Sequence, residues 1–159
     1  MPDTVPLAPP PRHPADPAFE ARVRASYARQ RFTAMLGATL TSVTPGEVTV
    51  ELPFDPELTQ QHGFVHGGVL ASLLDVACGY AAFSLMPADA GVLTVEFKVN
   101  FMAPAAGERF VFTGRVRRAG RTVTFVEADA VAVAAGGGRV VATMQATMMA
   151  VHGRDDVRH

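Results

Sequence analysis

The sequence predicts an α+β fold in which a curved antiparallel β-sheet wraps around one long central helix. Three observations lead to this prediction: a hairpin signal in the first third of the chain, one long apolar segment that opens with two glycines, and four alternating segments after it. With 159 residues, 48% of them hydrophobic, the chain is long enough for one domain with a core. Nothing in the sequence argues for a second domain.

The N-terminal region predicts an arm followed by a helix. Residues 1–17 contain seven of the 12 prolines, so we expect an extended or disordered arm that contributes little to stability. Residues 18–36 place apolar side chains at helical spacing, and Gly37 ends this additional N-terminal helix. We expect a single domain over residues 18–151 and a C-terminal tail over residues 152–159.

Residues 38–54 predict a β-hairpin. The turn dipeptide Pro45-Gly46 separates two segments, and Val48, Val50 and Leu52 alternate with polar residues in the second one. A loop over residues 55–66 then leads to the central helix.

Residues 67–86 predict the central helix, which Pro87 stops. Gly67 and Gly68 leave backbone N–H groups and the positive end of the helix dipole open to a developing negative charge. Asp75 is the single charged residue of this segment, and burying an unpaired carboxylate costs roughly several kcal/mol. The combination indicates an oxyanion site together with an acid, base or nucleophile.

The helix face that carries Asp75 consists of small residues, because a helix advances by ~100° per residue. Its other members are Ala71, Ser72, Cys78, Gly79 and Ala82. The opposite face is an ordinary core stripe of Leu70, Leu73, Leu74, Ala77 and Tyr80. Small side chains beside a carboxylate let a ligand or another chain come close. The alternative is tight helix packing in which a hydroxyl caps Asp75.

The segments after Pro87 predict strands. Residues 92–102, 109–118, 122–134 and 140–151 alternate apolar and polar side chains, and Gly- or Pro-containing turns separate them. We expect these four strands to form an antiparallel meander.

Composition excludes several function classes. The net charge of −1 is not that of a basic, nucleic-acid-binding protein. The single cysteine, Cys78, cannot form an internal disulfide, and no CxxC or HExxH motif is present, so we expect a reducing compartment and no metal site. No segment is typical of a membrane span or a leader peptide, which favours a soluble cytoplasmic protein.

Three motifs resemble those of one known family. They are His66-Gly67-Gly68 at a helix start, an acid nine residues after that histidine, and the segment from Thr94 to Pro104, which ends in Ala-Pro. Over residues 35–151 the chain resembles the PaaI-like acyl-CoA thioesterases of the hotdog fold. The resemblance implies hydrolysis of an acyl-CoA or aryl-CoA to the free acid and coenzyme A, without a cofactor.

The resemblance also implies three catalytic roles. The backbone N–H of Gly67 polarises the thioester carbonyl, and Asp75 acts as general base or nucleophile. The hydroxyl of Thr94 helps to hold the attacking water. The sequence does not choose between the two roles of Asp75.

The loop before the helix supplies further candidates. The family has an Asn six residues before the motif histidine, where this chain has Gln60, and Gln61 could serve instead. His66 is the obvious rival base, but the resemblance gives it the structural role of orienting the turn. We place His66, Gly68 and Gln61 among the residues that bind the substrate.

Four arginines near a strand turn are candidates for binding the phosphates of coenzyme A. They are Arg115, Arg117, Arg118 and Arg121. A solvated hairpin end explains the same cluster equally well.

Helix geometry predicts that the site is shared between subunits. Gly67 and Asp75 are eight positions apart, so a straight helix separates them by about 12 Å at ~1.5 Å per residue. One carbonyl cannot touch both, so we expect the site at the interface of a symmetric homodimer. The resemblance adds that such dimers join their sheets and often pair again into tetramers.

Two other function classes remain as alternatives. A noncatalytic acyl-CoA-binding protein would keep the pocket but would need no ionised carboxylate. A hotdog hydratase or dehydratase combines a catalytic His with the acid on a differently spelled motif, which this chain lacks. The small residues near Asp75 admit an aryl group or a medium acyl chain and do not select one.

Overall fold

The computed structural model describes residues 12–154 and 156–157. Within them the helices are α1 (Phe19–Ala28), α2 (Arg31–Leu36) and α3 (Gly67–Phe83), and the strands are β1 (Thr39–Thr44), β2 (Glu47–Pro53), β3 (Gly91–Phe101), β4 (Arg109–Ala119), β5 (Val123–Ala134) and β6 (Gly137–Val151). All strand pairs are antiparallel in one six-stranded sheet. Helix α3 packs against β2 to β6. The predicted α+β hotdog fold, with additional helical structure at the N-terminus, is confirmed.

The strand order corrects the predicted meander. The order is β1-β2-β4-β5-β6-β3, so β4, β5 and β6 form a meander but β3 pairs with β6 at the edge of the sheet. After β3 the chain crosses to the other side of the sheet, where β4 pairs with β2 along its whole length, from Glu47 to Pro53. This pairing covers the hairpin edge next to the buried residues Val48, Val50 and Leu52. Alternation in a sequence defines the faces of a strand and not its neighbours.

The core lies between α3 and the inner face of the sheet. Alternate residues of the long strands are buried there, namely Phe110, Phe112 and Val116 of β4, Val126, Ala128, Ala130 and Ala132 of β5, and Ala142, Met144, Ala146 and Met148 of β6. The helix approaches the sheet closely at Gly114, where a Cβ would lie 2.4 Å from the carbonyl oxygen of Ala77. Only glycine permits this approach, which fixes the distance of α3 from β4.

The predicted helix over residues 18–36 is two helices. The N–H groups of Arg29 and Gln30 donate to the carbonyls of Ser26 and Tyr27 at 3.1 and 3.0 Å, and Gln30 is extended, with ψ of 100°. Neither Gly nor Pro causes this break. The change of direction buries Val23 and Ser26 of α1 together with Thr33 and Leu36 of α2, so packing overrides the local helical preference. Gly37 ends α2 in the left-handed conformation, as predicted.

The N-terminal arm packs against the domain where it is described. Residues 1–11 of the predicted arm lie outside the described residues, but residues 12–17 differ from the prediction. The Arg12 guanidinium donates to the carbonyls of Gly46 and Val116 at 3.0 and 2.7 Å, and the N–H of Ala15 donates to Leu85. Asp16 is buried. The sequence suggested no partner for these groups because each one is supplied by a distant part of the chain.

Arg22 connects this segment to the C-terminal end of α3. Its Nε donates to the Asp16 carboxylate at 2.8 Å, and its Nη2 donates to the carbonyls of Met86 and Phe83 at 2.7 and 3.3 Å. The guanidinium carbon lies 4.1 Å from the centre of the Phe83 ring. A cation is stabilising at a helix C-terminus, where carbonyls lack intrahelical partners. Arg22 therefore holds α1 and residues 12–17 against the central helix.

We predict that Arg22→Ala lowers the free energy of unfolding by about 2 kcal/mol or more, because it removes charge-assisted hydrogen bonds from a mostly buried group. Arg24→Ala is the matched control, since Arg24 pairs with Glu20 on the exposed side of α1 and such pairs contribute less than ~1 kcal/mol. Urea unfolding of both variants measures the difference. Equal losses in the two variants would contradict this role of Arg22.

Candidate active site

His66 caps the N-terminus of α3. Its backbone is extended, and its Nδ1 accepts a hydrogen bond from the N–H of Gly68 at 2.8 Å. The carbonyl of His66 accepts from the N–H groups of Val69 and Leu70 at 2.9 and 3.3 Å. The imidazole thus satisfies a helix N–H, as an N-cap side chain does.

The backbone N–H of Gly67 is the one N–H in the first turn of α3 that has no acceptor among the described residues. Of the first four N–H groups of α3, those of Gly68, Val69 and Leu70 donate to His66. The Gly67 N–H donates to no protein group in the part of the chain that the structure describes. A free N–H at the positive end of a helix dipole is a ready donor for a developing oxyanion.

An aromatic ring lies against Gly67. A Cβ there would be 3.1 Å from Cζ of Phe101, which is at the end of β3. That distance is shorter than ordinary van der Waals contact, so any larger residue would displace the ring.

Asp75 and Thr94 form the second part of the site. The Thr94 hydroxyl donates to Oδ1 of Asp75 at 2.8 Å, which brings together two of the predicted residues. Asp75 is half-buried on α3. Desolvation raises the pKa of its carboxyl above the ordinary value, and the Thr94 hydrogen bond opposes that rise. The hydroxyl cap that formed part of the alternative interpretation is therefore present.

An open cleft lies beside Asp75, whereas the alternative interpretation of the sequence was tight helix packing at this point. It has a volume of about 120 Å³ and is lined by Gln30, Asp75, Val76, Gly79, Tyr80, Val92 and Thr94. A Cβ at Gly79 would meet no atom within 4 Å, so packing does not require glycine there. A helical glycine costs about 1 kcal/mol relative to alanine. We infer that Gly79 keeps the cleft open.

The small-residue face of α3 divides into two parts. Ala71, Ser72 and Gly79 are half-buried around Asp75, whereas Cys78 and Ala82 are fully buried against the sheet. Burial raises the pKa of the Cys78 thiol strongly, so it is inert as a nucleophile near neutral pH. Part of the face predicted to let a ligand or another chain come close is therefore packed in the core.

The two loop glutamines make their hydrogen bonds within the loop and do not line the cleft beside Asp75. The side-chain oxygen of Gln60 accepts a hydrogen bond from the N–H of His62, and the Gln60 N–H donates to Phe64 at 2.9 Å. Gln61 is exposed, with its Nε2 3.4 Å from Nε2 of His62. Both side chains are occupied within the loop that leads to His66.

The four arginines do not converge on the cleft. Arg115 pairs with Glu47 and Asp129 at 3.0 and 3.3 Å, and Arg117 pairs with Glu127 at 3.4 Å. Because their neighbours in β4 point towards α3, these two lie on the outer face of the sheet. Arg118 and Arg121 are exposed at the β4–β5 turn.

Gly67 and Asp75 are not brought together either. They contact different parts of the same strand, Gly67 at Phe101 and Asp75 at Thr94. The eight-residue separation on an unbroken helix keeps them about 12 Å apart, as predicted.

Strand β3 is a long open edge of the sheet. It pairs with β6 on one side and with no strand of the described residues on the other, over residues 91–101. Its exposed apolar side chains are Leu93 (42% exposed), Val95 (56%), Phe97 (44%) and Phe101 (56%). An edge of this length and character is suited to pairing with another strand.

Sequence reasoning missed Gln30 as a lining residue of the cleft. It lies within the segment predicted as one continuous helix, and no spacing rule relates residue 30 to residue 75. Among the described residues, no group of three His, Cys, Asp or Glu side chains is arranged to hold a metal ion. In the same part of the chain, every helix is too short or too polar to cross a membrane.

A protein-family model matches the central part of the chain. The model of the thioesterase superfamily matches residues 62–142, which run from the loop before α3 into β6. This range contains Gly67, Asp75 and Thr94.

Several curated proteins are similar to this chain. Acyl-coenzyme A thioesterase 13 of Homo sapiens is 32% identical over 111 residues, which is 67% of this chain and 77% of that protein. A protein named as an esterase in Saccharolobus solfataricus is 38% identical over 84 residues, 53% of this chain and 59% of that protein. This chain therefore covers less than two thirds of the length of the Saccharolobus solfataricus protein.

Solved structures agree with the fold. A thioesterase family protein from Silicibacter pomeroyi has a TM-score of 0.84 and 53% identity, covering 85% of this chain and 99% of that one. The PaaI protein of E. coli, from the phenylacetic acid degradation operon, has a TM-score of 0.76 with 23% identity, covering 85% and 94% of the two chains. At that identity the second structure supports the fold alone.

Proposed function

The chain belongs to the thioesterase superfamily, and we propose that it hydrolyses the thioester of an acyl-CoA or aryl-CoA to the free acid and coenzyme A. The observation that carries the proposal is the Asp75 carboxylate, held by Thr94 at 2.8 Å beside an open cleft. The similarity to acyl-coenzyme A thioesterase 13 supports coenzyme A as the thiol. A protein that only binds acyl-CoA would gain nothing from burying a carboxylate there.

The Gly67 N–H is the proposed oxyanion donor. Attack on a thioester carbonyl moves negative charge onto its oxygen, and losing one such donor typically costs ~3 to 4 kcal/mol of transition-state stabilisation. The Gly67 N–H is free for this role because the His66 cap takes the next N–H along the helix. His66 then acts by positioning α3 and not as a base.

Asp75 is the proposed base or nucleophile. As a base it removes a proton from water, whose oxygen attacks the carbonyl carbon, and the C–S bond breaks to release the thiolate, which takes up a proton. As a nucleophile it attacks the carbon itself, the C–S bond breaks to release the thiolate, which takes up a proton, and water then hydrolyses the resulting anhydride. Thr94 orients the carboxylate in both routes, and both routes require Asp75 to be ionised.

The site is proposed to form between two copies of the chain. One thioester cannot meet a Gly67 N–H and an Asp75 carboxylate that lie about 12 Å apart on one helix. Pairing of two β3 edges would continue the sheet into the second copy and cover Phe97 and Phe101. A further pairing into a dimer of dimers, and a cytoplasmic location, belong to the same proposal.

We predict that Asp75→Asn keeps the fold and lowers the turnover rate by at least ~100-fold, because it removes the ionisable group and conserves the shape. Stability should not fall. The folded-state pKa of Asp75 is raised, so its ionised form destabilises the protein at pH values above that pKa, and Asn removes this penalty. Release of free thiol from a panel of acyl-CoAs measures the rate.

The control for this prediction is His66→Asn, which keeps an N-cap acceptor and removes the imidazole. It should retain most of the activity. Loss of turnover in His66→Asn combined with near wild-type turnover in Asp75→Asn would identify His66 as the base.

We also predict that Thr94→Val moves the acid limb of the pH–rate profile to higher pH. The Thr94 hydrogen bond lowers the pKa of Asp75, so its loss raises that pKa further. Since Asp75 must be ionised, kcat/KM falls as pH drops through its pKa. Thr94→Ser keeps the hydroxyl and should leave the limb in place. An unmoved limb in Thr94→Val would mean that another group controls it.

A further inference from the structure

A second pocket lies beyond the C-terminal end of α3, where Leu85 forms part of its wall. It has a volume of about 320 Å³ and shares no lining residue with the cleft beside Asp75. Three arginines and a histidine line it, and no acidic residue of the described chain does so. They are Arg12, His13, Arg117 and Arg118. We call this the basic pocket.

A β-bulge in β4 supplies two of the arginines. The register between β4 and β5 shifts between Val116 and Arg118, so Arg117 is the extra residue on β4. Successive side chains of a regular strand point to opposite faces of the sheet, whereas a bulge breaks this alternation and redirects a side chain. The consecutive residues Arg117 and Arg118 line one pocket as a result. Such bulges are frequent beside functional sites.

Arg12 is held at the free edge of β4. The pairing of β2 with β4 ends where Glu47 lies opposite Arg115, so the last residues of β4 extend beyond β2. The Arg12 guanidinium donates there to the carbonyls of Gly46 and Val116 at 3.0 and 2.7 Å. Carbonyl groups fix the position of this guanidinium, but they leave its positive charge without a counterion.

The positive charge of the basic pocket has little compensation. Within the described part of the chain, Arg12 and Arg118 form no ion pair, and Arg117 pairs with Glu127 at 3.4 Å. Asp16, which is close in sequence to Arg12, is taken by Arg22 at 2.8 Å. Like charges held near one another repel, and an anion placed between them relieves that repulsion. The pocket is therefore suited to an anionic ligand.

We propose that the basic pocket binds an organic phosphate at a site separate from the thioester. Planar guanidinium groups match the geometry of phosphate oxygens and donate paired hydrogen bonds to them. Leu85, Val116 and Ala119 add an apolar wall for the organic part. An apolar cavity that holds benzene measures roughly 150 Å³, so the volume of about 320 Å³ leaves room for a phosphate beside a group of that size.

The fold separates the basic pocket from the proposed reaction. Val92 and Thr94 of β3 line the cleft, whereas β4 lines the basic pocket. The sheet order β4-β5-β6-β3 puts three strand spacings between them, which is roughly 14 Å at ~4.8 Å for each spacing. A dimer that pairs at β3 leaves the basic pocket open on the far side of each copy.

The test measures binding of phenyl phosphate and inorganic phosphate to the whole chain by titration calorimetry at low salt. Phenyl phosphate should bind more tightly than inorganic phosphate, because its ring contacts the apolar wall. Its affinity should fall as the ionic strength rises. Arg118→Gln should weaken the binding of phenyl phosphate about 10-fold, because it removes a charged donor.

Arg139→Gln is the matched control, since it removes the same charge. Arg139 is exposed near the start of β6, does not line the pocket and forms no ion pair with a described residue. Its replacement should change the affinity less than about 2-fold, because salt screens a distant charge. Equal losses in Arg118→Gln and Arg139→Gln, or no saturable binding to the wild type, would overturn the proposal.

Two further results would also contradict the proposal. Asp3 is the one acidic residue at positions 1–11, so binding that appears only in Asp3→Asn would assign the pocket to the chain's own N-terminal region. Equal affinities for phenyl phosphate and inorganic phosphate would refute an organic ligand, because the apolar wall would then contribute nothing.

Turnover of the wild type tests whether the two sites are separate. Saturating phenyl phosphate should leave the KM for an acyl-CoA unchanged when ionic strength is matched with sodium chloride. A raised KM would mean that the phosphates of coenzyme A use the basic pocket, and it would overturn a separate site. A wild type that hydrolyses no acyl-CoA would refute the proposed function and leave the phosphate site standing, because calorimetry needs no turnover.

Discussion

The rigid stretch of α3 between Gly67 and Asp75 is the constraint on which the account of this protein depends. Eight residues of helix hold the free N–H and the carboxylate about 12 Å apart. The helix cannot bend to close this gap, because it packs against five strands and meets β4 at the backbone of Gly114. If both groups act on one thioester, the fold itself requires a second copy of the chain.

A second copy of the chain would also cover two surfaces that are open in the single chain, namely the outer edge of β3 and its exposed aromatic side chains. Strand β3 leaves its outer edge unpaired and exposes Phe97 and Phe101, and pairing there brings another α3 towards the cleft. Such closure would also remove water from Asp75, which would raise its pKa further. The hydrogen bond from Thr94 lowers that pKa. It would therefore favour the ionised form that both proposed routes need after the interface has formed.

Local patterns made most of the fold and part of the site predictable from the sequence. The glycines that open α3, the lone Asp75 and the hairpin turn each act through nearby residues, and the family motif related Thr94 to Asp75. Three other features could not be predicted from local patterns, because each depends on contacts with residues far away in the sequence. They are the edge position of β3, the break between α1 and α2 near Gln30, and the contacts of Arg12. The roles of the predicted loop and arginine residues in binding the substrate stay predictions.

Mixed dimers test the shared site most directly. Gly67→Val displaces Phe101 and blocks approach to the N–H, Asp75→Asn removes the carboxylate, and each homodimer should be nearly inactive. After co-refolding at 1:1, random pairing makes about half of the dimers mixed, each with one intact site of two, so the mixture should recover roughly a quarter of wild-type activity. If both variants fold and associate and the mixture stays as inactive as its parents, Gly67 and Asp75 do not act on one thioester across an interface.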